Sequence, residues 1–244
     1  MISVILNVYK RSNLLETQIN AIKEQTIEID SNNIHVWYNK SDVPQSFPKD
    51  QKIKTYACNW NTKFFGRFTI PLYLNTPYIA IFDDDTMPKS EWFKNCLETI
   101  ENKDSDGILG GSGVILRKKA YYPFDKVGWN GLHVNEVRRV DLVGHAWFFR
   151  QEWAKYLWYE KPFTFNNGED ITFSYLAQKY GNINTYVPPH PVENRNIWSN
   201  DEESGWKIGN DENASWRTSN HIKTRDEICK YYIDHQWKTV NNLI

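Results

Sequence analysis

The chain has 244 residues, 40% of them hydrophobic and 24% charged, enough apolar material for the core of one large α/β domain. Lys plus Arg number 29 against 30 for Asp plus Glu, and this net charge of −1 excludes a global field for nucleic acid or an anionic membrane, so any charged partner is met locally. Cys58, Cys96 and Cys229 are widely spaced and form no CxxC pair, which argues against a zinc site or a disulfide framework and for a reducing compartment.

The opening run from Ile2 to Val8 reads as a strand. It has no basic n-region or small-residue cleavage site and is too short to span a bilayer, so the expected setting is cytoplasmic or otherwise soluble, without signal peptide or membrane anchor. Ser12 is a candidate cap for a helix whose Leu15, Ile19 and Ile22 share one face. Ile34–Tyr38 and Ile53–Cys58 suit further strands, and "FFGRFTIPLYL" suits a helix broken near Pro71. Tyr78–Phe82 returns to the sheet, and Ser90 is placed to cap a helix running to about Ile100 with Trp92, Phe93, Cys96 and Ile100 inward. Beyond it, "GILGGSGVILRKK" reads as a strand with a glycine turn and "RRVDLVGHAWFFR" as another strand. "GEDITFSYLAQKYG" reads as a helix from about Asp170 to Gly181, and "TRDEICKYYIDHQWK" as a closing amphipathic helix. Residues 188–213 are rich in Pro, Asn, Asp and Gly and read as a long loop, and within it Trp198–Asn213 is expected to be mobile without ligand and to order over the donor, with Trp198 and Trp206 covering the sugar. Strands alternating with helices imply a mostly parallel central sheet flanked by helices.

The stretch "YIAIFDDDTMP" sets a buried strand directly against Asp83, Asp84 and Asp85. Three adjacent acids repel one another, and desolvating them is unfavourable by several kcal/mol unless a cation or donors compensate, so a metal carrying an anionic ligand is the expected occupant. An EF-hand loop does not fit, because Met87 and Pro88 stand in its middle and Lys94 at its closing position. An aspartyl-phosphate motif counted from Asp83 would meet Met87 where Thr or Val belongs. Two readings remain: a solvated acidic helix-entry loop, and the DxD element of a nucleotide-sugar transferase, in which a carboxylate holds a divalent ion against the donor diphosphate.

"NVYKR", "VWYNK", "FDDDT", "LVGHAWFF", "NGEDITFSYLAQKYG" and "WRTSNHIKTR" occur in the order found in exostosin-like (GT64-type) glycosyltransferases, and nearly the whole chain resembles that family. The resemblance implies a single GT-A (Rossmann-like) domain over residues 1–244, with a nucleotide-binding half to about residue 88 and an acceptor-binding and catalytic half after it. By the same resemblance Arg11, Asn39 and Arg67 would contact the uridine and diphosphate, Asp83 and Asp84 the ribose and base, and Asp85 the metal, Mn²⁺ or Mg²⁺. Asp170 matches the family's catalytic carboxylate, with Glu169 beside it; Arg225 is placed to fork onto the leaving diphosphate. His221, and outside the motifs His190, are histidines able to approach metal or phosphate. Gly168 stands where animal members carry a cysteine.

The function these residues imply is metal-dependent transfer of a sugar from a UDP-sugar to a hydroxyl of a glycan or glycoprotein acceptor. The resemblance favours retention of configuration and an N-acetylhexosamine. A divalent-metal nucleotide-diphosphate hydrolase or phosphatase, and a non-catalytic sugar-binding module, stand as alternatives.

Overall fold

The structure, a computed structural model, describes residues 1–200, 208–212 and 214–243. Trp206, and with it the ordering expected of residues 201–207 and 213, lies outside the described residues.

Among the described residues eleven strands form two sheets. They are β1 (Ile2–Val8), β2 (Ile34–Tyr38), β3 (Lys54–Ala57), β4 (Tyr78–Phe82), β5 (Ile108–Leu109), β6 (Ser112–Lys118), β7 (Ala120–Gly128), β8 (Arg138–Val140), β9 (Leu142–Gly144), β10 (Trp147–Arg150) and β11 (Thr185–Val187). The central sheet has the order β3-β2-β1-β4-β10-β5-β11-β8, and the smaller one β7-β6-β9 is antiparallel. β3, β2, β1 and β4 run parallel, as do β5 and β11, while β10 and β8 pair antiparallel with their neighbours. Helices α1 (Leu15–Lys23), α2 (Trp92–Ile100) and α3 (Glu169–Gly181) and a last helix, His221–Asp234, flank the sheets.

The central strands are apolar runs because both of their faces are covered. Ile79, Ala80, Ile81 and Phe82 are fully buried, as are Phe148 and Phe149 of β10. Leu15, Ile19 and Ile22 of α1 and Trp92, Phe93, Cys96 and Ile100 of α2 point into the same core. A second apolar cluster joins the small sheet to α3 and the last helix through Leu116, Leu142, Ile171, Leu176, Ile228 and Tyr232.

Several local expectations change. Ser12 opens a short 3-10 turn, and its hydroxyl bonds the Pro44 carbonyl instead of capping α1. Ser90 does not cap α2: Glu91 precedes the helix, and the Ser90 carbonyl accepts from Thr26 N at 2.8 Å. The stretch around Pro71 is a 3-10 helix, Gly66–Tyr73. "RRVDLVGHAWFFR" is three strands. Asp141 separates β8 from β9, and His145 and Ala146, both left-handed at φ 58 and 60, turn the chain from β9 into β10. β7, with its half-buried alternation, carries no apolar run that would announce it. Trp198 is a core residue, 1% exposed, with its ring stacked on His190 and His133 at 4.4 and 4.9 Å and its Nε1 donating to Pro191 O at 2.7 Å. It is therefore not available to cover a ligand.

Asp141 is 4% exposed and accepts from Leu116 N at 2.7 Å and Val240 N at 2.6 Å, tying the small sheet to the end of the chain. Asp141→Ala strands both donors, and urea unfolding should show a loss of about 2–4 kcal/mol.

Candidate active site

A cleft of about 510 Å³ opens where the parallel strands end, at the position where open α/β sheets bind ligands. The register explains what it collects. β1 pairs Val8 with Tyr38 of β2 and Leu6 with Phe82 of β4, so the residues after each strand, Tyr9–Arg11, Asn39 and Asp83–Asp85, emerge side by side. β10 runs antiparallel to β4 with Trp147 opposite Ile81, which brings the lead-in residue His145 to the same end. α3 and the last helix contribute their N-terminal turns, with Glu169, Asp170, His221 and Arg225. Of the residues singled out from the sequence, Arg11, Asn39, Arg67, Asp83, Asp84, Asp85, Glu169, Asp170, His221 and Arg225 line this one cleft. His190 does not line it, and packs against His133 and Trp198.

The acids are held by three arginines. Arg11 donates to Asp84 Oδ1 at 2.6 Å, lies 3.5 Å from Asp85 Oδ2, and forks onto Asp211 at 2.9 and 2.6 Å. Arg67, 2% exposed, pairs with Asp83 and donates to Glu169 Oε1 at 3.2 Å, with its guanidinium 4.7 Å from the Trp147 ring. Arg225 forks onto both oxygens of Asp170 at 3.0 and 2.6 Å and bonds Asn167 Oδ1 at 3.2 Å, over the Tyr121 ring. Asp170 and Arg225 thus form one buried pair, where the sequence reading gives Asp170 the sugar and Arg225 the leaving diphosphate. Burial opposes the charge of Arg67 and Arg225, but the facing acids outweigh it and raise both pKa values.

Crowding leaves two carboxyls perturbed. Burial, followed by the charges of Asp83 and Asp84, pushes Asp85 up to about 7 despite Arg11. Burial and then Asp170 push Glu169 up to about 7, against the pull of Arg67 and Arg225. An added cation would relieve this repulsion, and the donors for one are present. Asp83, Asp85 and His145 each offer an atom, all within 4.8 Å of one another. Burial lowers His145 to about 4, so its ring is neutral and keeps a lone pair, and its Nε2 is buried without a hydrogen-bond partner among the described residues. Two carboxylate oxygens and an imidazole nitrogen suit Mn²⁺, so the residues fit the implied metal.

His145 was missed by the sequence reading although its motif was in view; the signal is the antiparallel pairing of β10 with β4, which sets it across from Asp83. Asn39 is placed at the cleft wall with its amide already engaged: it donates to Asn61 Oδ1 and Lys63 O at 2.9 and 3.0 Å and accepts from Thr62 N and Oγ1 at 2.8 and 3.0 Å. Its evident work is to hold the loop 61–63. Gly168, left-handed at φ 78, lets α3 start beside Ile228, whose Cδ1 would lie 2.5 Å from any Cβ there. His221 approaches Asn167 Nδ2 at 3.3 Å rather than a carboxylate.

No protein-family model matches the chain, and no curated protein is significantly similar to it in sequence. Among solved structures it superposes on the mannosyltransferase PcManGT from Pyrobaculum calidifontis, in complex with GDP-Man and Mn²⁺, with a TM-score of 0.51 over 77% of this chain at 16% identity. The chain has a glycosyltransferase fold. Of that mannosyltransferase it spans about half, 54% of the length. TarS from S. aureus matches at TM-score 0.46 and 18% identity, over 77% of this chain and 36% of TarS. In this glycosyltransferase fold no helix among the described residues is long and apolar enough to cross a membrane.

Metal affinity should depend on pH. A cation at Asp85 must displace the proton held there up to about 7, while His145 is already neutral. Calorimetric titration with Mn²⁺ should give binding about tenfold weaker at pH 6 than at pH 8, with little further change above that. Asp85→Asn should remove both the binding and its pH dependence.

Proposed function

We propose that the protein is a metal-dependent GT-A glycosyltransferase that moves a sugar from a UDP-sugar to a glycan or glycoprotein hydroxyl with retention. The observation that carries the reading is the convergence of the Asp83, Asp85 and His145 set with three acid-paired arginines in one cleft at the strand ends of a glycosyltransferase fold. The uridine and the retention come from the resemblance to exostosin-like enzymes. In this proposal residues to about 88 bind the nucleotide and those after it the acceptor, within one domain.

The transfer breaks the bond from the anomeric carbon to the phosphate oxygen and forms one to the acceptor oxygen, and the acceptor's proton goes to the departing phosphate. Negative charge builds on the phosphate and positive charge on the sugar. Mn²⁺ or Mg²⁺, held by Asp83, Asp85 and His145, supplies positive charge beside the diphosphate when bound. Arg11, at the edge of the acid cluster, adds a second cation there. Asp170 faces the sugar as a carboxylate oriented by Arg225, and Glu169, held near 7, sits beside it at the same helix start. Both oxygens of Asp170 are taken by Arg225, which suits electrostatic stabilisation of the sugar better than proton removal and agrees with retention. Asn39 shapes the nucleotide wall through the loop 61–63, and His221 lines the same cleft beside Asn167.

The test is a panel of UDP- and GDP-sugars with Mn²⁺, read by calorimetry and by product anomer. UDP should bind with metal and lose affinity in excess chelator. Metal-independent binding, or preference for GDP, would overturn the donor assignment. Release of free sugar that no acceptor redirects would favour the hydrolase.

Asp170→Asn should lower turnover by about a hundredfold or more with UDP affinity nearly unchanged. Because it also uncovers the buried Arg225 charge, it should lower Tm, and the loss of turnover must persist well below that Tm. Near-normal transfer would reduce Asp170 to a structural partner of Arg225.

A further inference from the structure

Arg11 is held from two sides. Its NH1 faces the acid cluster, 2.6 Å from Asp84 and 3.5 Å from Asp85, while Nε and NH2 make two parallel bonds to Asp211 at 2.9 and 2.6 Å. Two parallel N–H···O contacts are also how a guanidinium takes a phosphate. Asp211 belongs to 208–212, a short turn in which Asp211 N donates to Ile208 O at 3.3 Å and Ala214 N to Asp211 O at 3.2 Å. Arg217 NH2 secures it through Asn210 O at 2.7 Å. Gly209 and Glu212 of the same turn line the cleft.

We propose that Asp211 makes an autoinhibitory contact: its carboxylate fills the Arg11 fork that the diphosphate of a nucleotide must take, so segment 208–212 has to let go of Arg11 before the nucleotide seats. The inference rests on the reading of the cleft as a nucleotide-diphosphate site. Carboxylate and phosphate cannot share that edge of Arg11 without setting two anions against each other. One of the two holders must yield. Asp84 and Asp85 follow a fully buried central strand, whereas Asp211 sits on a short turn with its side chain 33% exposed. A diphosphate carries more charge than one carboxylate and is the stronger ligand for that fork.

The experiment compares wild type with Asp211→Asn, using UDP and uridine, each with Mn²⁺, in calorimetry, and follows hydrogen exchange of 208–212 in wild type. UDP should bind the variant about fivefold tighter while uridine binding is unchanged. Exchange in 208–212 of wild type should quicken when UDP and Mn²⁺ are added. Equal or weaker UDP binding by a variant of normal Tm would overturn the proposal, the weaker result making Asp211 a support for Arg11. Unchanged or slower exchange in wild type would overturn it without the variant. If UDP with Mn²⁺ binds neither protein, the nucleotide reading itself fails, an outcome distinct from equal binding to both.

Discussion

Arg67 is the interaction on which the cleft is built. It rises from the 3-10 helix after β3, is 2% exposed, and joins Asp83 at the end of β4 to Glu169 at the start of α3. A buried guanidinium is tolerated only with full charge compensation, so both acids are required to hold Arg67 as much as Arg67 is required to hold them. Trp147 supplies a π face beneath it, and Trp147 in turn is fixed by a bond from its Nε1 to Val143 O at 3.0 Å. One side chain thereby links the end of β4 to the helix that carries Asp170.

The charge pattern follows from that arrangement. Burial raises Asp85 and Glu169 first, and the neighbouring acids, which outnumber the guanidiniums facing them, raise both further. The protein without metal is thus under electrostatic tension in the region where a cation would bind. Arg11 and Arg225 limit the tension without abolishing it, the first at the cleft edge and the second deep against Tyr121. Stored repulsion of this kind favours binding over structural filling, since an acid cluster serving stability alone would be fully paired.

Much of this was legible in the residues. β1, β2 and β4 are apolar runs that local composition announces, and a βα alternation fixes the end at which Asp83–Asp85 emerge. α3 was also readable, from "GED" at its start and Gly181 at its close. What was not readable depends on contacts distant in sequence. β7 is a strand because it pairs with β6, and β9 is separated from β8 and β10 because it leaves the central sheet to pair with β6. His145 owes its place to a register, and Asp211 meets Arg11 across 200 positions. Trp198 misled because it lies in a loop of polar composition, yet His133 and His190 enclose its ring.

The network around Asn39 bears on how the protein can be produced. "NKS" is an acceptor sequence for N-linked glycan, but the Asn39 side chain is 3% exposed and its amide is occupied by Asn61, Thr62 and Lys63. Folding therefore closes Asn39 itself to an oligosaccharyltransferase. A chain secreted through a eukaryotic host meets that enzyme before it folds, and a glycan attached then would keep the loop 61–63 from closing onto β2. Bacterial expression, or Ser41→Ala in a secretory host, removes this route to misfolding at Asn39.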